Sequence, residues 1–188
     1  MQHWAAMLRT IGEVETFDYD YMRDGRKRPD PLPVLVRAHR AALMGAQEMH
    51  HGPAVLIGKS MGSRIGCHLS LDTPVAAVVC LGYPLCGGGD PTKLRDKVLR
   101  EMTTPVLFVQ GTRDSLCPLE LLAKLRRDMR APNELHIAEE GDHSLMVTKR
   151  QLKLTGETQD AVDQRILSTN AEFLARHIPS ATDDSAPT

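Results

Sequence analysis

Ser60, Asp114 and His143 are the residues of this chain whose types could together carry out nucleophilic catalysis. Ser60 is the centre of a Gly-x-Ser-x-Gly pattern, with Gly58 before it and Gly62 after it. A serine hydroxyl is a weak nucleophile until a base removes its proton, and that base needs a third group to hold its ring in the correct tautomer. Histidine and aspartate are the usual residues for these two tasks. The chain therefore contains the residue types of a serine hydrolase.

The pattern around Ser60 predicts a nucleophile elbow, in which a strand turns sharply into a helix with the serine at the tip. An apolar, β-compatible run over residues 53–57 precedes the pattern, and apolar residues at helical spacing follow it. We expect Gly58 and Gly62 to let the strand and the helix pass closely. The alternative is an ordinary turn from a strand through glycine into a helix.

Asp114 and His143 each follow a segment that is typical of a buried strand. Asp114 comes shortly after the apolar residues 105–109, and His143 comes after the shorter strand pattern of residues 135–138. The order along the chain is serine, acid, histidine, which is the order of the α/β-hydrolase fold and differs from the two other common orders. The sequence predicts a Ser60–His143–Asp114 catalytic triad.

Each member of this predicted triad has an alternative interpretation. Asp114 could cap a helix that begins near Pro118, since aspartate is a favoured capping residue. His143 could be a surface histidine without a role. Asp142 is a second candidate for the acid, but we rank it below Asp114 because neighbouring side chains usually project apart.

The elements that would position these residues alternate between helices and strands. The last helix is preceded by Thr155 and Thr158 as capping candidates. The pattern predicts a doubly wound, mostly parallel α/β sheet, in which loops at the carboxyl ends of the strands form the site. The predicted helices cover residues 2–11, 33–49, 118–129 and 162–173, with a further helix directly after Ser60 that carries Ile65 and Leu69. The predicted strands cover residues 14–21, 53–57, 75–81, 105–109 and 135–138.

Length and composition predict one domain over residues 1–178 and a disordered tail over residues 179–188. With 23 basic and 24 acidic residues and a net charge of −1, the 188-residue chain has no basic field for nucleic acid. No apolar run approaches the roughly 18 residues of a membrane span. The first residues lack the layout of a signal peptide, so we expect an intracellular, cytoplasmic protein, with a nuclear location as the alternative.

The cysteines and histidines lack the spacing of a metal site. Cys67, Cys80, Cys86 and Cys117 form no Cys-x-x-Cys pair, and the eight histidines are scattered apart from the pair at 50–51. The cysteines are typical of reduced thiols in a cytosolic protein. We expect no metal and no cofactor.

Several motifs of the chain together resemble one family of α/β-hydrolase-like proteins. This family comprises the testis-expressed hydrolase-like proteins and the third subunit of the NSL histone-acetyltransferase complex, and the chain is most similar to its plant members. The resemblance runs from Trp4 to Leu174. It implies an α/β-hydrolase fold, with Ser60 as nucleophile, Asp114 as acid and His143 as base. The motifs are Gly-Lys-Ser-Met-Gly-Ser-Arg at 58–64, Cys-Leu-Gly-Tyr-Pro-Leu at 80–85, Pro-Val-Leu-Phe-Val-Gln-Gly at 105–111, Asp114, and Gly-Asp-His-Ser at 141–144.

The chain departs from this family at its start. Family members have a strand and a His-Gly-Ala-Gly-like loop before the helix that begins here near Trp4, and the only His-Gly pair of this chain is at 51–52. We therefore expect an N-terminally truncated chain that lacks the first strands of the fold. One donor of the predicted oxyanion hole is the Met61 N–H, and the other belongs to the absent loop. An exposed sheet edge would favour self-association.

The leading functional prediction is a serine hydrolase of the esterase, thioesterase or acyl-hydrolase kind. Its partner would be a small-molecule ester or acyl substrate, with no nucleic acid and no membrane involved. The alternative is a non-catalytic α/β-hydrolase-like module that binds a protein partner, or an inactive truncated isoform. No pattern in the sequence identifies the acyl group of the substrate.

Overall fold

The computed structural model describes residues 1–178. Four strands form a parallel sheet in the order β1, β2, β5, β6, and β3 pairs with β4 in a short antiparallel hairpin. The predicted tail over residues 179–188 lies outside the described residues. The strands are β1 (Val55–Lys59), β2 (Ala77–Leu81), β3 (Cys86–Gly87), β4 (Asp90–Leu94), β5 (Val106–Gly111) and β6 (Asn133–Ala138).

Eight helices accompany these strands within the described residues, and the chain begins with a helix, as the sequence predicts. Helix α3 carries a proline in its first turn, where a missing N–H costs nothing. The helices are α1 (Gln2–Leu8), α2 (Asp20–Arg23), α3 (Leu32–Met49), α4 (Met61–Leu69), α5 (Lys97–Glu101), α6 (Leu119–Arg127), α7 (Lys149–Thr155) and α8 (Gln159–His177).

The two central strands, β2 and β5, are buried along their whole length. Successive side chains of a strand point to opposite faces, so these strands supply apolar side chains to two separate clusters. One cluster joins Val78 and Phe108 to side chains from α3, α4, α5 and α6. The other joins Val79 and Val109 to side chains from α1 and α8. Helices on both faces explain why both strands are continuous apolar runs, and they confirm the doubly wound sheet.

One predicted strand is wrong. Residues 14–19 belong to no strand, and the one-turn helix α2 begins at Asp20. The alternation that predicted a strand comes from aromatic residues, and these rings pack on side chains instead of pairing in a sheet. The Phe17 ring lies 4.9 Å from the Tyr19 ring and 4.9 Å from the His39 ring of α3, measured between centroids. In the described chain the first strand is β1.

The sequence analysis also missed the hairpin and two short helices, α5 and α7. These elements carry too few residues for a periodic pattern to be recognised. The hairpin and α5 follow β2, and α7 precedes α8. No helix within residues 1–178 combines the length and the apolar character that a membrane crossing requires.

Candidate active site

Ser60 lies between the end of β1 and the first residue of α4. Its backbone has φ 52° and ψ −117°, a conformation that is unfavourable for a residue with a side chain. Such a conformation costs on the order of 1 to 3 kcal/mol and persists only where neighbouring structure enforces it. Here the Ser60 N–H donates to the Leu81 carbonyl at 3.0 Å, and the Ser60 carbonyl accepts from the Ser63 N–H at 3.1 Å. Sheet and helix therefore hold the serine in the elbow geometry.

The two glycines of the Gly-x-Ser-x-Gly pattern differ in their steric role. A Cβ atom at Gly58 would overlap the backbone of Gly62 and Ser63, so strand and helix can approach only because residue 58 is glycine. A Cβ atom at Gly62 would meet no atom within 4 Å. The expectation that both glycines permit the close approach is correct for Gly58 and wrong for Gly62, which contributes its backbone and not the absence of a side chain.

Asp114 lies just beyond β5, and its side chain is fully buried. One carboxylate oxygen accepts from the Leu116 N–H at 2.8 Å, and the other accepts from the Gln110 side-chain amide and from His143. The carboxylate is therefore satisfied by three donors, which offset the cost of its burial. The alternative that Asp114 caps α6 is wrong, because that helix begins at Leu119 with Pro118 as its capping residue.

His143 lies between Asp114 and Ser60. Its Nδ1 is 2.7 Å from the Asp114 carboxylate, and its Nε2 is 2.8 Å from the Ser60 hydroxyl oxygen. With Nδ1 donating to the carboxylate, Nε2 is left as the acceptor for the Ser60 hydroxyl proton. The His143 side chain is 27% exposed, whereas that of Asp114 is 0% exposed. The three side chains thus form a continuous chain of hydrogen bonds that begins in the interior and reaches the surface at Ser60.

Two further glycines allow the His143 loop to reach this position. At Gly82, whose φ is 68°, a Cβ atom would lie 2.6 Å from the His143 carbonyl oxygen. At Gly111, a Cβ atom would overlap the carbonyl group of Gly141. Sequence reasoning did not assign a role to either residue. The available signal was a glycine at or directly after the end of each buried strand, which is where a loop passes closest to the sheet.

Backbone strain is concentrated at this site. Within residues 1–178, the residues other than glycine that have positive φ are Ser60, Glu140 and Leu145. Glu140 and Leu145 lie on either side of His143 in the chain, and Ser60 is the residue whose hydroxyl His143 contacts. Strain at such positions clusters at functional sites because only surrounding structure can maintain it.

Comparison with known proteins identifies the family of this chain. A family model described as an alpha/beta hydrolase domain matches residues 1–175. The chain belongs to the alpha/beta hydrolase family. This match shows the alpha/beta hydrolase family and does not distinguish the testis-expressed and NSL-subunit branch within it.

Solved structures share the fold of this alpha/beta hydrolase at low sequence identity. The esterase domain of a Rhodothermus marinus protein is 19% identical, with a TM-score of 0.59 over 77% of this chain and 69% of that one. Dienelactone hydrolase from Anabaena variabilis is 18% identical, with a TM-score of 0.61 over 95% and 79%. An alpha-beta serine hydrolase homologue from Coxiella burnetii is 19% identical, with a TM-score of 0.54 over 75% and 62%. This chain thus covers between 62% and 79% of the length of each of these three proteins.

The first backbone amides of α4 in this alpha/beta hydrolase face the same region as Ser60. Met61 is the first residue of the helix, so its N–H has no intrahelical carbonyl to which it can donate. The positive end of the helix dipole is located there as well. The Met61 N–H is therefore free to donate to an oxygen atom bound beside Ser60.

Neighbouring polar residues organise the His143 loop. Asp142, the second candidate for the acid, accepts from the Ser144 N–H at 2.7 Å and from the Met146 N–H at 3.0 Å, so its carboxylate closes the loop. Lys59 of β1 donates to the Ser144 hydroxyl at 3.0 Å. This bond joins the elbow strand directly to the loop that carries His143.

A buried thiol beside Asp114 stays neutral. Burial, and then the negative charge of Asp114, raise the pKa of Cys117 to about 12. A thiol with this pKa is protonated at neutral pH and is a poor nucleophile. In the described part of the chain, no group of three His, Cys, Asp or Glu side chains is arranged to hold a metal ion.

A cavity of about 290 Å³ opens beside Met61, one residue from Ser60. It lies between α3, α4 and the end of the hairpin, and two of its walls carry the guanidinium groups of Arg64 and Arg95. A larger concavity of about 810 Å³ is lined by residues 26–31 and contains none of the candidate catalytic residues. The smaller cavity is the concave space next to the elbow.

Proposed function

We propose that this alpha/beta hydrolase is a serine hydrolase that cleaves ester or thioester bonds of a small acyl substrate. The observation that carries the proposal is the chain of hydrogen bonds from Asp114 through His143 to Ser60, with distances of 2.7 and 2.8 Å. The strained backbone of Ser60 and the free N–H of Met61 support it further. No cofactor takes part in the proposed reaction.

In the first half of the reaction, the Ser60 hydroxyl oxygen attacks the carbonyl carbon of the substrate. The His143 Nε2 accepts the hydroxyl proton as the new C–O bond forms, and the carbonyl π electrons move onto the oxygen. Asp114 keeps the ring in the required tautomer and stabilises the imidazolium. The bond to the leaving group then breaks, and the leaving group takes the proton from His143. The product is an acyl ester of Ser60.

In the second half, water replaces the leaving group. His143 removes a proton from the water as the water oxygen attacks the acyl carbon, and it returns that proton to the Ser60 oxygen as the acyl-enzyme bond breaks. In both halves the negative oxygen forms beside the N–H of Met61 and the start of α4. A donor of this kind typically contributes about 10²- to 10³-fold to turnover.

We also propose that the chain belongs to the testis-expressed and NSL-subunit branch of the family, and that residues 1–178 form one domain. The motifs quoted from the sequence support the branch assignment. An intracellular location, cytoplasmic or nuclear, is supported by cysteines that remain free thiols, including Cys67 and Cys80, whose sulfur atoms lie 3.7 Å apart.

Labelling with a fluorophosphonate probe tests the proposed nucleophile. The folded wild-type chain should react covalently at Ser60. Ser60→Ala should abolish labelling, and His143→Ala and Asp114→Asn should each slow it by at least about 10³-fold, since the three residues act as a unit. Peptide mapping of the labelled chain should place the phosphonate on Ser60.

Matched variants separate catalysis from folding. Ser115→Ala and His51→Ala remove the same side-chain types at exposed positions and should label at the wild-type rate. Circular dichroism should show that all of the variants are folded. Equal labelling of the wild type, Ser60→Ala and His143→Ala would leave the non-catalytic interaction module as the function of this chain.

A further inference from the structure

The cavity beside Met61 has a polar and an apolar side. Its apolar walls come from side chains of α3, and its cationic walls come from α4 and from the segment that follows β4. A volume of about 290 Å³ is at the lower limit for a small-molecule site. Its lining includes Asp30, Leu32, Leu35, Met61, Arg64 and Arg95.

The two guanidinium groups of this cavity have no carboxylate partner within residues 1–178. Neither Arg64 nor Arg95 forms an ion pair there. The Nε atom of Arg64 is buried and has no hydrogen-bond partner among these residues. A buried donor without a partner costs about 1 to 3 kcal/mol, and more when it is charged, so its presence in a folded protein requires an explanation.

Charge at the cavity is positive. Burial lowers the pKa of Arg64; the Tyr83 hydroxyl acts to raise this pKa, and the nearby charge of Arg95 acts to lower it, so the two cations repel each other. Asp30 also lines the cavity, but its carboxylate already accepts two hydrogen bonds from Arg26, at 2.6 and 3.0 Å. Since Arg26 already pairs with Asp30, the charges of the lining that have no carboxylate partner within residues 1–178 are those of Arg64 and Arg95, and both attract an anionic group.

The backbone that carries Arg95 is fixed. The Arg95 N–H donates to the Leu85 carbonyl at 2.8 Å, and the Arg95 carbonyl accepts from the buried Tyr83 hydroxyl at 2.8 Å. Arg64 belongs to the elbow helix itself, and its N–H donates to the Ser60 carbonyl at 3.3 Å. The backbones of both arginines are therefore fixed relative to the elbow.

We propose that this cavity binds the free carboxylate of an acyl group that is attached to Ser60 during turnover, so that the preferred substrates are half-esters or half-thioesters of short dicarboxylic acids. The inference rests on the proposed hydrolase function. Arg64 and Arg95 bind the carboxylate, because planar guanidinium groups match its two oxygens. The hydrocarbon part of the acyl group packs on Leu32 and Leu35, and Met61, which also lines the cavity, directly follows Ser60 in the chain.

Paired ester substrates test the carboxylate site. Para-nitrophenyl hydrogen glutarate carries a free carboxylate, and methyl para-nitrophenyl glutarate is its neutral counterpart. The wild type should show a kcat/KM ratio of at least about tenfold in favour of the acid. Arg64→Met and Arg95→Met should each lower this ratio about tenfold, and Arg9→Met, an equal charge change at an exposed position, should leave it unchanged. An equal preference for both esters in the wild type would overturn the proposal.

A binding measurement separates this proposal from the hydrolase function. Monomethyl glutarate should raise the melting temperature of the Ser60→Ala chain, dimethyl glutarate should not, and adding Arg64→Met should remove the shift. Absence of the shift in a folded Ser60→Ala chain would overturn the carboxylate site, even where labelling supports the nucleophile. A shift that depends on Arg64 in a protein whose Ser60 does not label would keep the site and overturn the hydrolase.

Discussion

The proposed active site has two halves that are held together by different means. The elbow half consists of contiguous residues, 58–64, in which the Ser60 carbonyl accepts hydrogen bonds from N–H groups three and four residues later. The acid–base half consists of Asp114 and His143, which are 29 residues apart and follow different strands. The first half is a local turn, whereas the second exists only when two loops meet.

Contacts over the carboxyl ends of β5 and β6 hold the acid–base half. The Arg113 N–H donates to the Gly141 carbonyl at 2.9 Å, which draws the His143 loop across Gly111. The Glu140 N–H donates to the Thr112 hydroxyl at 2.8 Å. This loop consists of turns and one isolated bridge, without a helix or strand of its own, so we expect its backbone to yield more readily than that of the elbow. We therefore expect substitutions in the elbow to lower mainly the free energy of unfolding. Substitutions in the acid–base half should mainly displace Asp114 or His143 and so slow the labelling of Ser60.

The largest effect is expected from alanine at the close-approach glycines. Gly58→Ala forces a Cβ atom into helix backbone that cannot move, so the free energy of unfolding should fall by about 3 to 5 kcal/mol. In Gly111→Ala the new Cβ atom would overlap the Gly141 carbonyl group, which lies in a loop that we expect to relax. The free energy of unfolding should therefore fall by only about 1 to 3 kcal/mol, but labelling of Ser60 should slow by about 100-fold. Urea unfolding and probe labelling measure the two quantities.

Gly62→Ala is the matched control, because a Cβ atom there meets no atom within 4 Å. It should change the free energy of unfolding by less than about 1 kcal/mol. Equal destabilisation by Gly58→Ala and Gly111→Ala would contradict the distinction between a rigid elbow and a deformable loop.

A smaller effect is expected from substitution of Gln110, a buried residue that links the Tyr83 backbone to the Asp114 carboxylate. Its side chain accepts from the Tyr83 N–H at 3.1 Å and donates to Asp114. Gln110→Leu leaves the buried Tyr83 N–H without a partner, so the free energy of unfolding should fall by about 1 to 3 kcal/mol. Labelling should slow as Asp114 loses a positioning donor. Gln110→Glu retains the acceptor for the Tyr83 N–H but places a second carboxylate beside Asp114. A free energy of unfolding above that of Gln110→Leu would show that the bond to Tyr83 dominates. A lower value would show that repulsion from Asp114 dominates.

The smallest effect concerns pH and the packing behind the elbow. Burial lowers the pKa of His39 to about 4, and this ring lies between the Tyr19 hydroxyl and α4. In the unfolded chain the ordinary histidine pKa is about 6.5, so between these values the unfolded state binds the additional proton. Folding stability should therefore fall as the pH decreases below about 6.5, by about 1 to 2 kcal/mol between pH 7 and pH 5.

His39→Asn should reduce this slope, although it lowers stability at pH 7 through lost packing. His51→Asn, at an exposed position, is the matched variant. Chemical unfolding at several pH values measures the slope. A slope unaffected by His39→Asn would mean that the pKa of His39 is the same in the folded and the unfolded chain.

The sequence by itself was sufficient for the elements with continuous patterns. The apolar runs that became β2 and β5 predicted buried parallel strands, because a strand covered on both faces needs apolar side chains at every position. The Gly-x-Ser-x-Gly pattern predicted the elbow from the five neighbouring residues 58–62. The alternation of Phe17 and Tyr19 predicted a strand wrongly, because alternation also arises where rings pack on side chains, as these two do on His39.

Only the tertiary structure decided how the second half of the site is held. Chain order named Asp114 and His143, but their contact depends on backbone passing over Gly82 and Gly111 and on the Gln110 amide. The position of each glycine at a strand end is visible in the sequence, but the backbone that passes over it is not. The cavity of Arg64 and Arg95 is likewise formed by segments 31 residues apart in the chain. Local propensity is set by neighbours in sequence, whereas these contacts join residues that only the packed sheet brings together.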